Sequence, residues 1–194
     1  MIQYYKGFLG DFEYDDELWD LSQGRLHYIG NEAFGINIHI PRGIIDCTDM
    51  FAGNTFLQTP PKIPDGVKYC SRMFLGCQNL KYTPELPASV EYCDYMFQDC
   101  TALQINVCTI FENIEAAFGM FKGCMALKYE PLLSGNIRYC DEMFCGCTSL
   151  QNYSLPADWS QCTEINSGCR PMLQEMDKFV KQFTNYIDAN DLPF

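Results

Sequence analysis

The sequence predicts a mixed α+β repeat fold, a solenoid of short stacked coils, and three observations carry that prediction. The dipeptide Met-Phe recurs at Met50-Phe51, Met73-Phe74, Met96-Phe97, Met120-Phe121 and Met143-Phe144, in steps of 23, 23, 24 and 23 residues. Four further columns keep this register. They read Ile44, Val67, Val90, Ile114, Ile137; Cys47, Cys70, Cys93, Ala117, Cys140; Asn54, Cys77, Cys100, Cys124, Cys147; and Leu57, Leu80, Leu103, Leu127, Leu150. The composition, 47% hydrophobic and 20% charged, is that of a chain able to build a core. One unit of this length cannot bury its own apolar face, whereas stacked units bury a continuous core. Neighbouring coils are then about 4.8 Å apart, and six make a rod on the order of 30 Å long.

The chain divides into three parts. Residues 1–33 form an acidic, aromatic amino-terminal cap in which Tyr4, Tyr5, Phe8, Phe12 and Trp19 cover the first coil. Residues 34–172 form the solenoid of about six coils, opened by a half-copy with Phe34 in the leucine column. Ile36-Asn37-Ile38-His39-Ile40 alternates and reads as the best-formed strand. Within a unit, Val67, Cys70, Met73, Phe74, Cys77 and Leu80 fall three to four apart, a helical period, so helical or 3-10 turns are expected on one face. The short strand, Leu80–Thr83, is expected on the other, shortened by Pro84. A degenerate sixth copy places Trp159, Cys162, Ile165, Cys169 and Met172 in the columns. Residues 173–194 form a helical carboxy-terminal cap. Leu173, Met176, Phe179, Val180, Phe183, Tyr186 and Ile187 make one apolar face, and Pro171 fits near the helix start.

A repeat of 20–29 residues lies in the leucine-rich-repeat range. Segments such as VKYCSRMFLGCQNLKYTPELPASVEYCDYMFQDCTAL resemble the BspA-like leucine-rich repeats of bacteria and their mobile elements. The resemblance covers about residues 34–172, and its motifs are specific for fold and weak for function. This chain departs by placing a second Cys where many members have Ile-Gly, and Pro61, Pro84 and Pro131 where they have a strand Ile. The resemblance also implies a role in adhesion or receptor binding at a cell or virion surface.

Twelve cysteines need an explanation. Zinc sites use close pairs such as C-x₂-C, whereas the spacing here is mainly C-x₆-C, and His27 and His39 are unpaired, so no metal and no cofactor is expected. Disulfides are expected to be incomplete, because Cys47 faces Asn54 and Ala117 faces Cys124, whereas obligate partners tend to be lost together. The leading reading is a ladder of small buried side chains. Cys108 and Cys145 lie outside it and are the candidates for exposed thiols. Such a ladder fits the cytoplasm of a bacterium or infected host, with a cell or virion surface as the alternative.

The formal charge of −12 argues against direct nucleic-acid binding and anionic membranes and favours a partner with a basic surface. No apolar run approaches a membrane span, and the start lacks the pattern of a signal peptide. Acid is concentrated at the start: Asp11, Glu13, Asp15, Asp16, Glu17 and Asp20 stand against Lys6 alone, a net of −5 over residues 1–20. Such a cluster can imitate a phosphate backbone and occupy a basic groove, as phage and mobile-element inhibitors of defence nucleases do; a plain solvated face is the competing reading. A second candidate is the polar strip Gln58, Lys81, Gln104, Lys128 and Gln151, with Thr83, Asn106, Glu130 and Tyr153 two positions on. Tyr69, Tyr92 and Tyr139 form a stripe beside the first cysteine column, read first as packing and second as a hot spot. There is no phosphate loop or nucleophile elbow, and Asp94 and Asp141 share one column, so catalysis is not expected. The expected function is a non-catalytic protein-protein interaction module, an acidic cytoplasmic inhibitor that binds a basic or nucleic-acid-handling protein.

Overall fold

The computed structural model describes residues 1–105, 110–111, 113–133 and 137–151. The sixth copy, the carboxy-terminal helix, Cys108, Asn106 and Tyr153 lie outside the described residues. Two antiparallel pairs build the amino-terminal end: β1 (Ile2–Gly7) with β2 (Gly10–Asp15), and β3 (Trp19–Asp20) with β4 (His27–Tyr28). A short parallel pair, β5 (Ile110–Phe111) with β6 (Leu132–Leu133), lies further on. No α-helix occurs among the described residues.

Successive repeats stack in parallel. Asp46, Tyr69, Tyr92, Ala116 and Tyr139 are linked rung to rung by parallel bridges. At each rung the chain both donates and accepts: the Lys68 N–H donates to Ile45 O at 2.9 Å, and the Cys47 N–H donates to Tyr69 O at 2.8 Å. The regular pairing therefore falls just before the first cysteine column, not at Leu80–Thr83 as the sequence suggested. At the latter position Lys81 N–H bonds Gln58 O and Gln104 N–H bonds Lys81 O, both at 2.8 Å, and on the same side of the leucine column Phe34 bridges Thr59 and β5 pairs with β6. Pro84 and Pro61 have no N–H, so the ladder is interrupted at those residues.

The helical spacing is realised by tight turns. Within the first coil the N–H groups of Met50, Ala52 and Asn54 close turns onto Cys47, Asp49 and Phe51. The N–H groups between them, on Cys47, Asp49, Phe51 and Gly53, donate to Tyr69, Ser71, Met73 and Leu75 of the next coil. Left-handed residues produce this alternation. Each of the five described coils has two in this segment, Asp49 and Gly53 in the first and Arg72 and Gly76 in the second, with φ between 54° and 77° over the five. A left-handed residue every fourth position stops α-helix formation and turns alternate N–H groups toward the neighbouring coil.

The columns are buried, and the phenylalanines form a ladder. Phe51, Phe74, Phe97, Phe121 and Phe144 stack with centroids 5.4–5.6 Å apart and planes within 11°. At the amino-terminal end Trp19 and Tyr28 close the ladder against Phe51, with centroids 5.8 and 5.4 Å away. The cap also bonds to the first coil through Tyr28 N–H to Met50 O and Ile45 N–H to Leu9 O, each at 2.8 Å.

Three expectations for this end are corrected. Tyr4 and Phe8 are exposed, and the covering side chains are Leu9, Phe12, Trp19, Leu26 and Tyr28, with Tyr5 partly buried against them. Phe34 is 52% exposed and does not fill the leucine column, because it bridges Thr59 and not Leu57. The expected strand Ile36–Ile40 begins as a 3-10 turn, Gly35–Asn37, which leaves Ile36 exposed while Ile38 and Ile40 are buried. Gly35 sits so close to the next coil that a Cβ there would lie 2.0 Å from the Pro60 carbonyl carbon. That close approach bends the chain away from the alternating pattern.

Candidate functional site

The acidic cluster is assembled by the β1–β2 hairpin. In the antiparallel register Lys6 faces Asp11, Tyr4 faces Glu13 and Ile2 faces Asp15, so these alternate residues share one face. The other face carries Tyr5 and Phe12, stacked at 5.0 Å, and turns inward. Period-two alternation thus places Asp11, Glu13 and Asp15 on the outer face, and Asp16, Glu17 and Asp20 continue it along the chain.

Local partners hold three of these acids, Asp15, Asp16 and Asp20, below the usual carboxylate range. The Met1 ammonium bonds Asp16 and, at 3.0 Å, Asp15, and holds both carboxyls below the usual carboxylate range. Asp20 is lowered by the Ser22 N–H, at 2.8 Å, and by the Ser22 hydroxyl. Lys6 Nζ lies 3.9 Å from Asp11, and Glu17 lies 3.9 Å from the Met1 ammonium. Glu13 has no ion pair among the described residues. Asp16 and Asp20 also edge an open depression of about 500 Å³ walled by Tyr14, Trp19, Leu21 and Ile29.

The described positions of the polar strip are exposed or half-buried. Lys81, Gln104, Lys128 and Gln151 are exposed and Gln58 is half-buried. Lys81 Nζ donates to Gln58 Oε1 at 3.1 Å, and Gln151 N–H bonds Lys128 O at 2.9 Å. Thr83 and Glu130 are half-buried, while Asn106 and Tyr153 lie outside the described residues. Thr83 joins a groove of about 540 Å³ between two proline-bearing loops, with Pro60, Pro61, Pro84 and Pro87 in its walls.

The cysteines form two ladders of different chemistry. In the second column the thiols of Cys77, Cys100, Cys124 and Cys147 each donate to a phenylalanine carbonyl of the preceding coil, all at 3.0 Å. The first coil has only the cap before it, and there Asn54 takes the position. Its Oδ1 accepts the N–H groups of Phe56 and Leu57, and its Nδ2 reaches Gly30 O of the cap at 3.4 Å. Burial pushes the Cys77 thiol up to about 12 and raises Cys47, Cys70, Cys93, Cys100 and Cys124 as well. Cys145 is half-buried beside the turn and free. Cys140 departs from the expected reduced ladder, for it is disulfide-bonded.

Among the described residues no group of three or more His, Cys, Asp or Glu side chains is placed to hold a metal ion, and no helix is long and apolar enough to cross a membrane. His27 Nδ1 lies 3.0 Å from Asp49 O, whereas His39 is exposed. No protein-family model, curated protein or solved structure matches the chain.

Proposed function

We propose that the chain is a non-catalytic protein-protein interaction module on a leucine-rich-repeat type solenoid, and that its acidic amino-terminal end binds a basic protein. The observation that carries this reading is the outer face of the hairpin. Asp11, Glu13 and Asp15 stand there in alternate register, extended by Asp16, Glu17 and Asp20. A rigid row of carboxylates attracts a positive surface and speeds encounter with it. A groove that ordinarily takes a phosphate backbone is such a surface, so a nucleic-acid-handling protein is the class of target and inhibition is the expected effect.

The test is capture from bacterial lysate at low and high salt, with the retained proteins identified by mass spectrometry. The reading expects a stoichiometric basic protein that is lost at high salt, because exposed charges are screened within about 8 Å at physiological ionic strength. Retention that is indifferent to salt counts against it. One observation favours the second reading, an adhesion or receptor-binding module at a cell or virion surface: the disulfide at Cys140 suits an oxidising setting. Binding to glycans or whole cells with no soluble partner supports that alternative.

A further inference from the structure

The tyrosine stripe is a stack with one ring missing. Tyr69, Tyr92, Ala116 and Tyr139 occupy successive rungs joined by parallel bridges. The rings of Tyr69 and Tyr92 stack at 5.2 Å with planes 20° apart. Ala116 offers no ring on the next rung and is 6% exposed, while Tyr139 beyond it is 62% exposed, against 40% for Tyr69. Tyr92 and Tyr139 therefore flank a rung that carries no ring, with their backbones roughly 10 Å apart, twice the strand spacing.

The column immediately before the tyrosines reads Lys68, Glu91, Glu115, Arg138 over the same rungs. Lys68 Nζ pairs with Glu91 at 3.2 Å. Glu115 makes no ion pair among the described residues, and neither does Arg138. Glu115 acts most strongly on the Tyr92 hydroxyl and, with burial and Glu91, pushes its pKa up, so that the phenol keeps its proton. A carboxylate without an ion-pair partner thus stands beside one wall of the gap, and the two cations of the column bracket the acidic pair.

We propose that this gap takes a cationic side chain, an arginine or lysine of a basic partner protein, held between Tyr92 and Tyr139 with Glu115 as its counter-ion. A cation midway between the two rungs is about 5 Å from each, inside the roughly 6 Å reach of a cation over an aromatic face. Arginine is the better fit, since its planar guanidinium stacks on rings while its N–H groups reach a carboxylate. The proposal rests on the basic-partner reading and gives it a second contact, on the flank of the stack and away from the hairpin.

The test titrates the full chain, with tyrosine rings labelled for NMR, with a capped glycine–arginine–glycine tripeptide and with its neutral citrulline counterpart. Saturable shifts at Tyr92 and Tyr139 with a dissociation constant on the order of 1 mM are expected, and at least tenfold weaker binding of the citrulline peptide. Ala116→Tyr completes the stack, so the shifts disappear while the chain remains folded. Glu115→Gln weakens binding by about two- to fivefold. Absence of saturable shifts, an equal response to citrulline, or shifts that survive Ala116→Tyr overturns the proposal. Charge reversal of the hairpin leaves peptide binding at the gap unchanged, so failure of the gap and failure of the acidic end are read separately.

Discussion

The repeat stack and the amino-terminal cap both bury aromatic rings, and they do it in opposite ways. In the stack each ring of the ladder from Phe51 to Phe144 meets a copy of itself, with ring planes 3–11° apart. At the cap Phe51 meets two unlike rings at steeper angles, Trp19 at 69° and Tyr28 at 49°. The thiol column shows the same contrast. Where a preceding coil exists, Cys donates to its phenylalanine carbonyl, and where only the cap precedes, Asn54 bonds in three directions. Repetition thus solves the packing problem once for the whole stack, whereas its end needs a separate solution for each exposed group.

The largest expected effect tests the like-on-like packing. Phe97 is fully buried between Phe74 and Phe121. Phe97→Ala is expected to cost about 3–5 kcal/mol in chemical denaturation, as a buried aromatic truncation does. A loss below about 1 kcal/mol would show that the ladder is loosely packed.

Alkaline pH should strike both regions, the stack through its buried thiols and the cap through the Met1 ammonium, which is raised to about 10 and loses its hold on Asp15 and Asp16 above that. The folded thiols hold their protons above the ordinary value of 9.0, Cys77 up to about 12. The unfolded chain therefore binds fewer protons in that window, and stability falls as pH rises from about 9 toward 12. Each such thiol contributes a loss of about 1.4 kcal/mol per pH unit. Unfolding followed from pH 8 to pH 11 should begin near the thiol range, at about pH 9–10. Serine in place of Cys77 and Cys100 should move the onset upward, and an unchanged onset would sink the thiol explanation.

The junction between the two regions is the smaller target. Asn54→Ala leaves the N–H groups of Phe56 and Leu57 without their acceptor, the second of them buried. The expected cost is about 1–3 kcal/mol, with Trp19 fluorescence changing early in the melt as the cap loosens. Asn54→Cys should not rescue the loss, since the cap supplies no phenylalanine carbonyl. Full rescue would mean that the first coil is not special.

The same division decides how much was legible in the sequence. The buried columns were readable because a period of 23 repeats every environment, so Met73, Phe74, Cys77 and Leu80 announce their role by recurrence. What the period left open was the backbone. A three-to-four spacing fits a helix and also a run of tight turns, and Asp49, Arg72, Tyr95 and Glu142 give no glycine to mark the left-handed position. The strand was expected on the proline side of the leucine column, where Pro61 and Pro84 lack an N–H and pairing is confined to short stretches such as Phe34–Thr59 and β5–β6. The cap has no repeat to average over, and alternation alone did not separate exposed Tyr4 and Phe8 from buried Leu9 and Leu26. The acidic residues were readable as a cluster, but their common face needed the hairpin register. The gap at Ala116 had one sequence signal, the single small residue in a tyrosine column.

The most direct measurement of the central claim is the affinity of the captured basic partner for two chains, the native one and the variant Asp11→Lys, Glu13→Lys, Glu17→Lys. These positions lie on the exposed acidic end and leave the Asp15 and Asp16 contacts to Met1 in place. The account predicts at least tenfold weaker binding by the variant, with the native chain losing affinity as salt is added. Equal affinity for the two chains, unaffected by salt, would contradict it.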